Sequence, residues 1–81
     1  MDAKDFRTWR HVLGFNRSRA AEALGLSRNM PQRFEDGLTD IPEYIALACA
    51  AIYHGVEPYQ PTQADRDAAM LADALGAKSR E

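Results

Sequence analysis

All five glycines of this 81-residue chain, Gly14, Gly25, Gly37, Gly55 and Gly76, close a segment that carries helical signals. Glycine takes the left-handed conformation that ends a helix without a steric penalty, so this punctuation divides the chain into short helices. No stretch alternates apolar and polar residues with the period of two that a half-buried strand requires. Asp2 is placed to cap a first helix whose apolar face is Phe6, Trp9 and Leu13. Asn16 suits the cap of a second, "RSRAAEAL", and Ser27 the cap of a third that Gly37 terminates. Pro42 suits the first position of a fourth, "PEYIALACAAIYH", with Ile45, Ala48, Ala51 and Ile52 as its expected inward face. The two prolines of "VEPYQP" enforce a non-helical connection. Thr62 and Asp65 then resemble a capping box, opening a last helix that runs to about Leu75. The tail "AKSRE" is expected to fray. The expected fold is all-α: a compact bundle of four helices within residues 1–56, then a connection and C-terminal helix in residues 57–81.

A chain of this length buries only roughly 60 % of the surface its unfolded form exposes, which makes a second subunit a natural source of extra stability. No apolar run approaches the ~20 residues that a membrane helix needs. "MDAKDFRTWRH" lacks the apolar core of a signal peptide. The single cysteine, Cys49, excludes an internal disulfide framework and fits a reducing cytoplasm, where it serves as a small buried hydrophobe. Catalysis is not expected. The chain has no glycine-rich phosphate loop, no metal-ligand cluster and no nucleophile–base constellation, and nothing calls for a cofactor. His11 and His54 stand far apart in sequence and are expected to be structural or surface residues.

The formal net charge of −2 argues against nucleic acid as a partner, but its distribution argues the other way. Residues 1–34 carry seven basic and three acidic side chains, whereas residues 35–81 carry three basic and nine acidic ones. Such a split is the footprint of an oriented electrostatic surface. The basic half includes "GLSRNMPQRFEDG", in which Arg28, Asn29, Gln32 and Arg33 cluster on one short helix that also contains Pro31. Only "GLS" separates this helix from the one before it, and so short a connection forces the two to cross steeply.

The stretch from Phe6 to about Tyr53 resembles the phage-repressor/Cro family of helix-turn-helix domains. Ala21 stands where that family places a small residue between the two helices, and Gly25 occupies its turn. Ala20, Leu24, Leu26 and Phe34 fall on its buried positions, while "LGFN" and "FEDG" match its boundary signatures. The resemblance implies that the third helix lies in the major groove of duplex DNA, with Arg28, Asn29, Gln32 and Arg33 facing base edges. Arginine can pair bidentately with guanine, and asparagine or glutamine with adenine. Asn16, Arg17, Ser18 and Arg19, at the start of the second helix, are implied phosphate contacts, since a helix N-terminus favours an anion. Arg10 and Glu35 match an ion pair that joins the first helix to the end of the third.

Two features depart from the family. Pro31 replaces an aliphatic core residue and removes an N–H, so the regular helix is expected to begin nearer Met30 than Ser27. Met30 is left either exposed or free to touch a thymine methyl. Asp36, Asp40 and Glu43 follow the third helix where basic residues are common, leaving Thr39 and backbone amides as the phosphate contacts there. Affinity is then expected to be modest unless two subunits bind together.

Ala64, Ala68, Leu71 and Leu75 form an apolar stripe on the last helix, with Met70 and Ala74 beside it. Folding back on its own domain and packing against a second chain both satisfy this stripe. Family members commonly bind palindromic half-sites as dimers, which favours a homodimer. The expected function is that of a cytoplasmic transcriptional regulator, an autoregulatory repressor acting on double-stranded DNA. The alternative is a protein-interaction module, such as an antitoxin or anti-activator whose last helix captures a partner.

Overall fold

The computed structural model describes residues 1–76 and is all-helical there, with five helices and no strand among the described residues. The tail 77–81 lies outside the described residues. The helices are α1 (Ala3–Val12), α2 (Arg17–Leu24), α3 (Met30–Glu35), α4 (Glu43–Tyr53) and α5 (Gln63–Ala74). Three starts are capped as the side chains suggest. Asp2 and Asp5 exchange bonds in a capping box at α1, the Asn16 side chain accepts from the Arg19 amide at α2, and Thr62 and Asp65 form a second capping box at α5.

At α3 the start near Met30 expected from Pro31 is found but the Ser27 cap is not, and the start of α4 differs by one residue. Ser27 does not cap α3; its carbonyl closes a turn with the Met30 amide at 3.1 Å, and Asn29 is the cap residue with no side-chain bond of its own. Helix α3 therefore begins at Met30, which places Pro31 in its first turn. The amides of that turn have no intrahelical acceptor in any helix, so proline forfeits nothing there. Its ring is fully buried instead. Pro42 is the residue before α4 and not its first residue: its ψ of 153° is extended, and the helix opens at Glu43.

Phe6, Trp9, Ala20, Phe34, Ile45 and Cys49 form the core, sealed at its edges by Leu13, Phe15, Leu24, Leu26, Met30, Ile41 and Ile52. Met30 is thus part of the packing and not a free surface residue. Ile45 and Cys49 are the buried residues of α4, while Ala48, Ala51 and Ile52 are only half-buried. Phe6 touches Trp9 and Phe34 with ring centroids 5.5 and 5.4 Å apart, and Trp9 meets Phe15 edge-on at 5.8 Å. The Trp9 indole donates to the Cys49 carbonyl at 2.9 Å, anchoring α1 to α4. Burial pushes the Cys49 thiol up to about 11, which keeps it protonated and inert at neutral pH.

Helices α1 to α4 pack together, α3 against both α1 and α2 and α2 against α4. Gly25, with φ of 68°, turns the chain between α2 and α3; the next amide, Leu26, bonds back to the Ala21 carbonyl at 2.8 Å. The compact bundle expected from the sequence is only part of the molecule. Helix α5 has no buried residue, and the radius of gyration is 17.0 Å with extents of 49 × 23 × 19 Å. A compact chain of this length would have a radius of gyration of about 12 Å.

Because Phe34 joins α3 to α1 at the centre of this small core, Phe34→Ala should lower stability by about 3–5 kcal/mol. Urea unfolding followed by Trp9 fluorescence measures it, and a loss below 1 kcal/mol would contradict the packing described.

Candidate nucleic-acid interface

Helices α2 and α3 and the turn between them carry four of the chain's arginines, Arg17, Arg19, Arg28 and Arg33. Arg28, Asn29, Gln32 and Arg33 are all exposed, the first two in the turn before α3 and the others on the helix itself. Arg28 and Asn29 stand clear because the helix starts late, at Met30. Arg33 is held to one side: its Nε donates to the Thr39 hydroxyl at 3.1 Å, tying the end of α3 to the loop before α4.

At the start of α2, Asn16, Arg17, Ser18 and Arg19 are also exposed, but they are not equally free. The Asn16 side chain is occupied as the helix cap, accepting from the Arg19 amide at 2.8 Å. The amides of Arg17 and Ser18 precede the first intrahelical bond and point out of the helix end, where the dipole favours negative charge. Arg19 donates to Glu22 at 2.7 Å, and its guanidinium lies 5.2 Å from the Phe15 ring centroid. Of the four, Arg19 is therefore the most committed to its own chain, although such exposed contacts are weak.

Arg7, Arg10 and His11 of α1 join Asn16, Arg17 and Ser18 in lining an open basin of about 510 Å³. Arg7 and His11 had no functional place in the sequence reading. The available signal was their spacing: with Arg10 they fall at i, i+3 and i+4, on one helix face.

Glu35 holds this arrangement together. Its carboxylate is almost fully enclosed and takes two hydrogen bonds from Arg10, at 2.8 and 2.9 Å, in a bidentate pair. Arg10 also donates to the Phe15 carbonyl at 3.2 Å, fastening the α1–α2 loop. Arg17 approaches the same carboxylate at 3.6 Å while its own side chain stays 44 % exposed. Burial alone would push the Glu35 carboxyl up, but the bonds and charge of Arg10, with Arg17 and Arg7 behind it, hold it below its ordinary value. The Glu35 hydrogen bond in turn raises Arg10, which stays charged. The two arginines thus fix the end of α3 against α1 and the start of α2.

Among the described residues, no group of three or more His, Cys, Asp or Glu is placed to hold a metal ion, and no helix is long and apolar enough to cross a membrane. No family model, curated protein or solved structure matches the chain.

Breaking the enclosed pair should be costly. Arg10→Ala leaves the Glu35 carboxylate with only the longer Arg17 contact, and stability should fall by about 3 kcal/mol. That corresponds to a drop in Tm of more than ~10 °C for a domain of this size, readable by circular dichroism; an unchanged Tm would refute the role given to the pair. The depressed Glu35 carboxyl also sets a pH signature. Its contribution is complete above the unfolded carboxylate value, about 4.3, and is lost as pH falls through the lower folded value. The stability gap between the native chain and Glu35→Gln should therefore narrow steadily below about pH 4. A gap that stays constant to pH 2 would assign the stabilisation to packing and not to charge.

Proposed function

We propose that the protein is a sequence-specific, double-stranded DNA-binding transcriptional regulator. In this reading α3 enters the major groove and the start of α2 rests on the phosphate backbone. The observation that carries it is the convergence of Arg7, Arg10 and Arg17 at the end of a short helix bordered by four exposed polar side chains. Arg28, Asn29, Gln32 and Arg33 are of the types that pair with base edges, and they sit beside amides and guanidinium groups suited to phosphate. Arg7, Arg17 and the amides of Arg17 and Ser18 are the phosphate contacts this geometry favours. Arg19 and Thr39 contribute less directly, through their contacts with Glu22 and Arg33.

The small area of one such module, and the acidic residues Asp36, Asp40 and Glu43 after α3, favour a homodimer on a palindromic operator. Half-site centres would then lie one helical turn apart, about 34–36 Å. An autoregulatory repressor in the cytoplasm is the simplest role for such a dimer. A second reading is favoured by α5, which buries none of its residues: a partner protein captured by that helix would make the chain an antitoxin or anti-activator.

Selection of duplex fragments from the chain's own upstream region, followed by titration at two salt concentrations, tests the DNA reading. Native protein should bind the selected fragment with a strong salt dependence, because phosphate contacts release counterions. Arg28→Ala/Arg33→Ala should lose about 5- to 150-fold in affinity for each base contact removed while keeping its fold. Equal binding by both proteins, or none by either, would overturn the assignment of α3 as the reading helix.

A further inference from the structure

Among the exposed apolar side chains of the described residues, two sets form candidate docking surfaces. One is the stripe of α5, where Leu71 and Leu75 are 61 % and 76 % exposed beside Ala64 and Ala68. The other is a mostly apolar groove of about 280 Å³ between α2 and α4, walled by Ala23, Ala48, Ala51 and Ile52 and closed by Val56, Glu57 and Pro58. We propose that the groove is the docking site for α5 of a second copy of this chain, each copy receiving the other's helix. The inference rests on the dimeric form of the DNA-binding reading and specifies how that dimer is built.

The shapes suit one another. Three alanines leave depressions that leucine side chains can enter, the relation found wherever apolar helix faces interlock.

Exposed area supplies an independent argument. A compact monomer of 9.0 kDa exposes about 4,900 Å². This chain exposes 6513 Å², an excess of about 1,600 Å². A standard stable interface removes about 800 Å² from each partner, so the surplus exceeds what a dimer of this kind needs.

The chain's own α5 is held away from the groove. Tyr59 donates from its hydroxyl to Asp65 at 3.1 Å, and the same carboxylate accepts from the Thr62 amide at 3.0 Å. Pro58 and Pro61 fix φ on either side of Tyr59 and Gln60. The connection is thereby bound to the first turn of α5, and the groove is bordered by the beginning of that same connection. Docking on a second copy leaves this tie intact.

Light scattering coupled to gel filtration on the full chain, without DNA, tests the exchange. Val56→Glu charges the groove and Leu71→Glu charges the helix; both positions are more than half exposed, so neither attacks the core. Native protein should elute at twice 9.0 kDa and each variant alone at 9.0 kDa. An equimolar mixture should return to the dimer mass, because it contains one intact groove and one intact helix on different chains. Circular dichroism verifies that both variants keep their helices. A native monomer, a Val56→Glu protein that still dimerises, or a mixture that stays monomeric would each overturn the proposal. Neither substitution lies on the α2–α3 face, so binding to a single half-site should be the same for both variants. Failure of the DNA reading appears at Arg28 and Arg33 and not in these masses.

Discussion

The enclosed pair between Arg10 and Glu35 is the constraint on which the arrangement of the first four helices depends. Helix α3 has only six residues and no side-chain cap, and so short a helix has no stability of its own in water. It persists because Pro31 and Phe34 are buried beneath it and because Glu35 at its end is clamped from α1. The same carboxylate draws Arg17 inward from the start of α2. One acidic side chain in the basic half's immediate neighbourhood thereby sets the positions of three helices, and of its two arginine partners Arg17 stays open to a second anion.

This economy explains why a chain of net charge −2 can carry a basic surface. Arg7, Arg10 and Arg17 gather near Glu35, whereas nine of the twelve acidic residues fall in residues 35–81, among them Asp36 and Asp40 in the loop after α3 and Asp65, Asp67 and Asp73 on α5. The proposed interface uses short-range geometry at a helix end more than net charge. The acidic second half would tend to turn away from a polyanion, orienting the molecule on it.

Much of this was legible in the sequence where a single residue type has a single dominant use. Gly25 marked a real left-handed turn, and Asp2, Asn16 and Thr62 marked three real caps, because those side chains satisfy amides only a few residues away. Ser27 misled as a cap because it is a good cap by type, whereas Pro31, which lacks an N–H, correctly marked the later start at Met30. Pro42 was displaced by one residue. The contacts of Arg17 with Glu35, of Arg19 with Phe15 and of Arg33 with Thr39 carry no pattern in one dimension, since each depends on how elements and loops meet, whereas the pair of Arg19 with Glu22 follows from i,i+3 spacing on one helix. The exposed state of α5 was left open by its sequence, because an apolar stripe specifies that a helix will be covered and not by what.

The measurement that bears most directly on the account is an amide chemical-shift titration of the isotope-labelled chain with a duplex selected from its own upstream region. The amides of Arg17, Ser18, Arg28, Asn29, Met30, Gln32 and Arg33 should shift together, the shifts should weaken with salt, and the amides of the core around Cys49 should stay in place. Shifts confined to α5, or no shifts at any duplex concentration, would contradict the account and would make the basic face of α2 and α3 a solvated surface.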